Sequence, residues 1–182
     1  MKIENSFHVP AALEESWQII TDVPSLVSCM PGAELSEVGA DGAYRGVARV
    51  KIGPVQLQFN GEARLHDVDA RAHTLKVRSR ASDAKGRGTV ASEMAFALVP
   101  EGGRTRVDVV TDLTLTGAVA QYGRGAGLVR EVANQFTKDF AANLENKVRQ
   151  QAPAAASREI SGIRLLLNAL RSMIGRWLGR RA

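Results

Sequence analysis

The hydrophobic period of this sequence changes once, and that change constrains the fold more than any other feature. From Gly32 to about Thr116, apolar residues recur at every second position. From Tyr122 to Leu144 they recur about every 3.6 positions instead. The first period predicts strands with one buried face, and the second predicts a long amphipathic helix. A sheet with one apolar face and a helix with one apolar stripe can bury each other.

The elements before this point complete the predicted order. Lys2–His8 alternates as a first strand, and helical patterns follow around residues 11–20 and from Asp22 to the Pro31–Gly32 turn signal. Six alternating segments separated by turn residues come next. The order β-α-α-β(6)-α predicts an α+β domain over residues 1–149, in which a curved antiparallel sheet wraps around a long C-terminal helix.

The inward face of this predicted sheet is short of side-chain volume. Small inward residues recur on several strands: Gly46, Ala48, Gly61, Ala63, Ser79, Ala81, Ser92 and Thr111. Because interiors are close-packed, these positions need large partners from the helix or they leave a space. We expect an apolar cavity between the sheet and the first half of the helix. Its predicted lining is Trp17, Met30, Phe59, Phe96, Leu113, Tyr122 and Val129. The alternative is that these seven are ordinary core residues.

The positive charge of the chain is concentrated at its C-terminal end. Residues 157–182 contain six arginines and one glutamate, so the other 18 basic and 18 acidic residues cancel, and the net charge of +5 belongs to this tail. A nucleic-acid-binding domain would spread its charge over a folded face, which argues against nucleic acid as a partner. Pro153 lies in a low-complexity linker, residues 150–157, and should end the long helix.

The tail, residues 158–182, has the pattern of a basic amphipathic helix. On a helical wheel one arc of about 140° collects its large apolar residues: Ile160, Ile163, Leu166, Leu167, Leu170, Met173, Ile174, Trp177 and Leu178. Arg164 and Arg171 border one edge of this arc. Such a helix lies in the plane of a membrane, with arginines among anionic phosphates and Trp177 at the interface. A groove on a partner protein, a coiled coil or the protein's own domain are the alternative docking sites.

Four short motifs resemble a known family. They begin at Cys29 (CMPGAEL), Val50 (VKIGP), Asp83 (DAKG) and Gln121 (QYGRG), and they resemble the carbon monoxide dehydrogenase CoxG family of the START-like, helix-grip superfamily. The resemblance covers about residues 1–148. It implies a helix-grip fold with a deep cavity, and a partner that is a molybdenum hydroxylase of the carbon monoxide dehydrogenase type.

No residue pattern here predicts catalysis. His66 and Asp67 precede a turn and are expected at the surface rather than on a metal. Cys29 is the single cysteine, has no nearby histidine, and is expected to be a small, largely buried residue. The glycine run at 123–127 lacks the spacing of a phosphate-binding loop. We therefore expect a protein that is not an enzyme and has no metal site.

These observations combine into one expected function. The absence of a secretory signal or spanning segment predicts a cytoplasmic protein, peripheral on the inner face of the cell membrane. It would bind an apolar ligand, for which a respiratory quinone is a reasonable identity because a hydroxylase of this type passes electrons to the respiratory chain. It would then recruit the enzyme or deliver the ligand. The alternatives are an assembly or docking factor without a ligand, and a START-like enzyme such as a cyclase.

Overall fold

The computed structural model describes residues 1–52, 55–121 and 126–151. The alternating segments form strands and the 3.6-period segments form helices, as their patterns dictate. In chain order the elements are β1 (Lys2–Val9), α1 (Leu13–Thr21), α2 (Val23–Val27), β2 (Ala33–Val38), β3 (Tyr44–Ile52), β4 (Val55–Asp69), β5 (Thr74–Asp83), β6 (Thr89–Glu101), β7 (Arg104–Leu115), a 3₁₀ turn (Gly117–Val119) and α3 (Ala126–Gln151).

The strands form one antiparallel sheet in the order β1-β7-β6-β5-β4-β3-β2. Strands β2 to β7 follow one another as hairpins, and β1 pairs with β7 at the far edge through a register such as Phe7 opposite Val107. The predicted α+β class, the curved antiparallel sheet and the element order are therefore confirmed. Met1–Gln150 is one compact unit. Within the described residues, no helix is both long enough and apolar enough to cross a membrane.

His66 and Asp67 lie at the end of a strand, as expected: β4 ends at Asp69, and a turn over residues 70–73 follows. The pairing of β4 with β5 is interrupted by a bulge between His66 and Asp69, where Asp67 has a φ of 49°. A bulge inserts an extra residue into one strand without ending it. The side chain of His66 lies 2.7 Å from the carboxylate of Glu93, in keeping with a surface role.

The buried residues form two separate clusters. We call the larger one the first core; it joins α1, α2, the strands around β7 and the C-terminal half of α3. Its members are Phe7, Val9, Ala11, Trp17, Ile20, Leu26, Cys29, Leu75, Leu98, Val107, Phe140, Leu144 and Val148. The smaller one, the second core, contains Leu57, Phe59 and Val119. The sheet carries both clusters on its concave face, with a gap between them.

The C-terminal half of α3 is held firmly to the first core. Phe140 meets Phe7 edge to face, with ring centroids 5.2 Å apart. Asn143 donates a hydrogen bond of 3.0 Å to the carbonyl of Cys29, and Lys147 donates one of 2.7 Å to the carbonyl of Ser25. These two side chains donate to carbonyls at and just beyond the C-terminal end of α2, where no further helical turn supplies N–H donors. These contacts hold the C-terminal half of α3 against β1 and α2.

Candidate functional site

The gap between the two cores is a row of small side chains, which we call the central band: Gly46, Gly61, Ala63, Ser79 and Ser92. The strand register places them side by side, with Ala63 opposite Ser79 and Ser79 opposite Ser92. All five are partly exposed, although they lie on the concave face in the middle of the sheet. Glycine is required here for close strand approach, because a Cβ on Gly61 would lie 2.5 Å from that of Ala81.

The first half of α3 is equally unburied. Between Gly127 and Asp139 no residue is buried, whereas Phe140, Leu144 and Val148 all are. Two large apolar side chains in this half, Leu128 and Phe136, are 39% and 40% exposed. The 3.6-residue period between Tyr122 and Leu144 includes Phe136 and predicts that its ring is buried, and this prediction is wrong. No described side chain of the central band or of this half of the helix is fully buried, so part of the apolar surface of both remains exposed.

A side-chain hydrogen bond fastens this half of the helix to the sheet. Asn5 on β1 donates to the side-chain oxygen of Asn134 at 2.7 Å. The other side-chain hydrogen bonds described between residues 127 and 139 stay within the helix, such as Thr137 to the carbonyl of Ala133. An exposed neutral hydrogen bond of this kind contributes little, about 1 kcal/mol or less. The first half of α3 is therefore weakly fastened and its second half strongly.

The β5–β6 turn lies beside the second core, with Asp83 opposite Phe59 in the strand register. The buried carboxylate of Asp83 accepts hydrogen bonds from the guanidinium of Arg87 at 2.7 and 2.8 Å and from two backbone amides of the turn. The guanidinium holds the pKa of Asp83 far below its ordinary value. Gly88 then packs against the backbone of Thr116, and the amide of Val119 donates to the carbonyl of Arg87 at 3.2 Å. This turn thus fixes the segment that leads into α3.

One concavity of the sheet includes Gly61 of the central band in its lining. It has a volume of about 680 Å³ and is lined by Arg45, Asn60, Gly61, Glu62, Arg80, Ala81, Ser82, Thr89, Val90 and Ala91. Arg45 lies 3.7 Å from Glu62 within it. None of the seven residues predicted to line the apolar cavity belongs to this surface. Its charged lining suits a polar contact rather than an apolar guest.

The predicted cavity residues occupy three places. Trp17 is buried in the first core, with its ring 5.5 Å from that of His73, and Met30 and Phe96 pack against the same core. Phe59 belongs to the second core. Leu113 lies opposite Ser92 at the edge of the central band, and Val129 is partly exposed on the first half of α3. Whether these side chains contact a ligand stays a prediction.

Several sequence predictions fall outside the described residues. These are Tyr122 in the cavity lining and the whole membrane-binding set: Ile160, Ile163, Arg164, Leu167, Leu170, Arg171, Ile174, Trp177 and Leu178. In contrast, the structure shows a hydrogen bond between the hydroxyls of Ser79 and Ser92 that was not predicted from the sequence. Alternation placed both on the inward face, but their mutual contact depends on the strand register, which the sequence alone does not state.

The described residues offer little for catalysis or metal binding. In the ranges that the structure covers, no group of three His, Cys, Asp or Glu residues is placed to hold a metal ion. Cys29 is 2% exposed, as expected for a small buried residue. On the central band the polar groups are the hydroxyls of Ser79 and Ser92. They can donate and accept hydrogen bonds, and near neutral pH they do not titrate.

Solved structures with the same architecture come from several bacteria. A conserved protein from Geobacillus kaustophilus is 20% identical, with a TM-score of 0.71 over 82% of this chain and 96% of its own. The ZhuI aromatase/cyclase from Streptomyces sp. R1128 is 13% identical, with a TM-score of 0.59 over 86% of this chain and 98% of its own. A START superfamily protein from Mycobacterium smegmatis is 18% identical, with a TM-score of 0.53 over 82% of this chain and 97% of its own. At these identities the likeness establishes the helix-grip fold alone.

The sequence itself carries the assignment to a family. A search of the curated proteins finds no match. Residues 6–149, however, match the family described as the G subunit of carbon monoxide dehydrogenase (CoxG), and this span covers every described element from β1 to nearly the end of α3. Three of the four motifs seen in the sequence fall in or beside described elements of the concave face: Cys29 in the first core, Val50 beside the second, and Asp83 in the β5–β6 turn. The chain belongs to the carbon monoxide dehydrogenase CoxG family.

Proposed function

We propose that this protein is a non-catalytic accessory protein of a carbon monoxide dehydrogenase-type molybdenum hydroxylase that carries an apolar ligand and attaches reversibly to the membrane. The observation that supports it best is the interruption of the core. Two buried clusters flank a central band and a half-helix in which no described side chain is fully buried. A protein that only had to be stable would have filled this gap with larger side chains.

The chemistry of the gap favours an apolar ligand. Its floor is formed by glycine, alanine and serine, and its edges by side chains such as Leu113, Val129 and Phe136. Pockets for small molecules are mostly apolar with a few placed polar groups, and this surface has that composition. A respiratory quinone is the ligand that we propose, because the family's partner enzyme must pass its electrons onward. The quinone ring is apolar and flat, and its isoprenoid tail is hydrocarbon.

The proposed membrane attachment depends on the sequence of the tail. Half-burial of the nine large apolar side chains on the apolar arc of the tail contributes on the order of 7–12 kcal/mol, at roughly 1.5–3 kcal/mol for each full burial. Each arginine near an anionic leaflet adds about 1 kcal/mol. The cost of ordering the helix offsets much of this sum, so the attachment is reversible. We propose a location at the inner face of the cell membrane.

Ligand carriage is tested by what purifies with the protein. Organic extraction of the full-length protein, followed by mass spectrometry, should release an apolar compound in near-stoichiometric amount. The variant Ala63→Phe fills the central band and should release far less. Ser82→Ala, on the opposite face of the neighbouring strand, should release as much as the wild type. An extract without any apolar compound, from protein that also fails to take up added quinone, would contradict the carrier function.

Membrane attachment is tested separately by flotation. Full-length protein should float with vesicles that contain phosphatidylglycerol, and a chain truncated after Pro153 should stay at the bottom of the gradient. Raised salt should weaken flotation, because exposed charges are screened within about 8 Å at physiological ionic strength. Equal flotation of the two chains would show that the tail is not the anchor.

A second candidate function has one observation in its favour. The solved structures with this fold include an aromatase/cyclase. The central band, however, offers two neutral hydroxyls as its polar groups, without the titratable pair that proton transfer to and from a substrate requires. Incubation with a polyketide-like substrate would decide between the two, because turnover would support the enzyme and unchanged substrate the carrier.

A further inference from the structure

Two serine hydroxyls meet on the floor of the concave face. Ser79 on β5 and Ser92 on β6 are directly opposite in the strand register, and their Oγ atoms are 2.7 Å apart. Their neighbours along the same row are Ala63 on one side and Leu113 on the other, both without polar side-chain atoms. The hydroxyl pair is therefore a polar spot between two apolar neighbours, in the region between the two cores.

The two serines have two hydroxyl hydrogens, and the hydrogen bond between them uses one. Each hydroxyl has one hydrogen and two lone pairs, and the bond between the two uses a single hydrogen. Among the described residues, the mutual contact is the one hydrogen bond recorded for either side chain. Without a ligand, water satisfies the second hydrogen because both serines are partly exposed. A ligand that displaces this water with hydrocarbon alone leaves a buried donor unpaired, which is unfavourable.

We propose that the Ser79–Ser92 pair is the polar subsite of the ligand, where it donates a hydrogen bond to a neutral carbonyl oxygen. This inference depends on the proposed function and specifies the ligand class. A hydrocarbon offers no acceptor. A carboxylate offers one, but its charge would be buried against two neutral hydroxyls, with no cation on the central band to compensate it. A neutral ketone or quinone satisfies the donor without burying a charge.

The test compares two ligands that share a ring system and differ in their carbonyls. The probes are menadione, which carries two ring carbonyls, and methylnaphthalene, which has none. Equilibrium dialysis against the full-length protein measures the affinity for each probe. The double variant Ser79→Ala/Ser92→Ala should bind menadione about 5–10-fold more weakly than the wild type, the effect of one lost hydrogen bond. Its affinity for methylnaphthalene should be unchanged or higher.

Two further variants control for folding and position. Ser82→Ala removes a hydroxyl from the same strand on the outer face and should leave both affinities unchanged. Ser92→Thr keeps a hydroxyl at the site and should retain the preference for menadione even if the double alanine variant is unstable. If the double variant, or Ser92→Ala alone, binds menadione as tightly as the wild type, the subsite assignment is wrong and the carrier function stands. If the wild type binds neither probe, both proposals fail.

Discussion

The sharpest consequence of the structure is a difference between two phenylalanines one turn apart on α3. Phe140 is 7% exposed and packs edge to face on Phe7, whereas Phe136 is 40% exposed. Both are changed to alanine, so the helix propensity and the side chain removed are the same. Any difference in the free energy of unfolding then reports how each ring is packed.

The expected change in the free energy of unfolding follows from how far each ring is buried. Phe140→Ala removes a buried ring and leaves a cavity, which costs about 3–5 kcal/mol and includes the loss of the aromatic pair. Phe136→Ala removes a ring that keeps much of its solvent exposure, and costs about 1 kcal/mol, roughly half the transfer free energy of a fully buried phenylalanine. For a domain of this size the first change should lower the melting temperature by about 6–20 °C and the second by about 2–4 °C.

Urea unfolding of the full-length chain, followed by circular dichroism, measures both values in one buffer. Equal m-values across the variants establish that the same surface is exposed on unfolding. The reasoning fails if the two free energies of unfolding agree within about 0.5 kcal/mol. That result would mean that the first half of α3 packs as tightly as the second, and the open concave face would be lost with it.

Three further predictions test the surroundings of the site. Because Arg87 lowers the pKa of Asp83 from its ordinary 3.8, this carboxylate stabilises the fold above about pH 4 and loses that effect on acidification. At neutral pH, Asp83→Asn should therefore melt at a lower temperature than the wild type. Between about pH 4 and pH 2 its melting temperature should fall less steeply than that of the wild type; identical slopes of melting temperature against pH would contradict this. Gly88→Ala should lower the melting temperature by on the order of 5 °C more than Gly42→Ala, because its Cβ would lie 2.0 Å from a carbonyl oxygen, whereas that of Gly42 has nothing within 4 Å. Asn134→Ala should lower the free energy of unfolding by less than about 1 kcal/mol but should speed amide hydrogen exchange in the first half of α3. Unchanged exchange would show that the Asn5–Asn134 hydrogen bond does not hold this half of the helix to the sheet.

The faces of the strands were predictable from the sequence because strand geometry leaves little choice. Side chains alternate across a sheet, so a single inward residue assigns the whole strand. This assigned Gly61, Ala63, Ser79 and Ser92 to the concave face before the pairing of their strands was known. The small size of the inward residues on this face was likewise readable from residue type alone.

The contacts of the site could not be predicted in the same way. The Ser79–Ser92 bond depends on which residue of β5 lies opposite which residue of β6, and the turn between them is a five-residue loop rather than a two-residue hairpin with a fixed register. The exposure of Phe136 depends on how far α3 lies from the sheet along its length. A helical period gives the direction of a side chain but not what lies in front of it.

The two cores also explain how a gap can persist in a stable protein. Buried residues supply most of the stability of a domain, and here they lie at both ends of the concave face, with Phe140 and Leu144 in one cluster and Leu57 in the other. The central band can then be left open at little further cost, since neither core relies on it. Under the proposed function, stability and binding are therefore carried by different residues, and a ligand enters and leaves while the cores stay folded. A change such as Ala63→Phe is then expected to abolish binding in a protein that still folds.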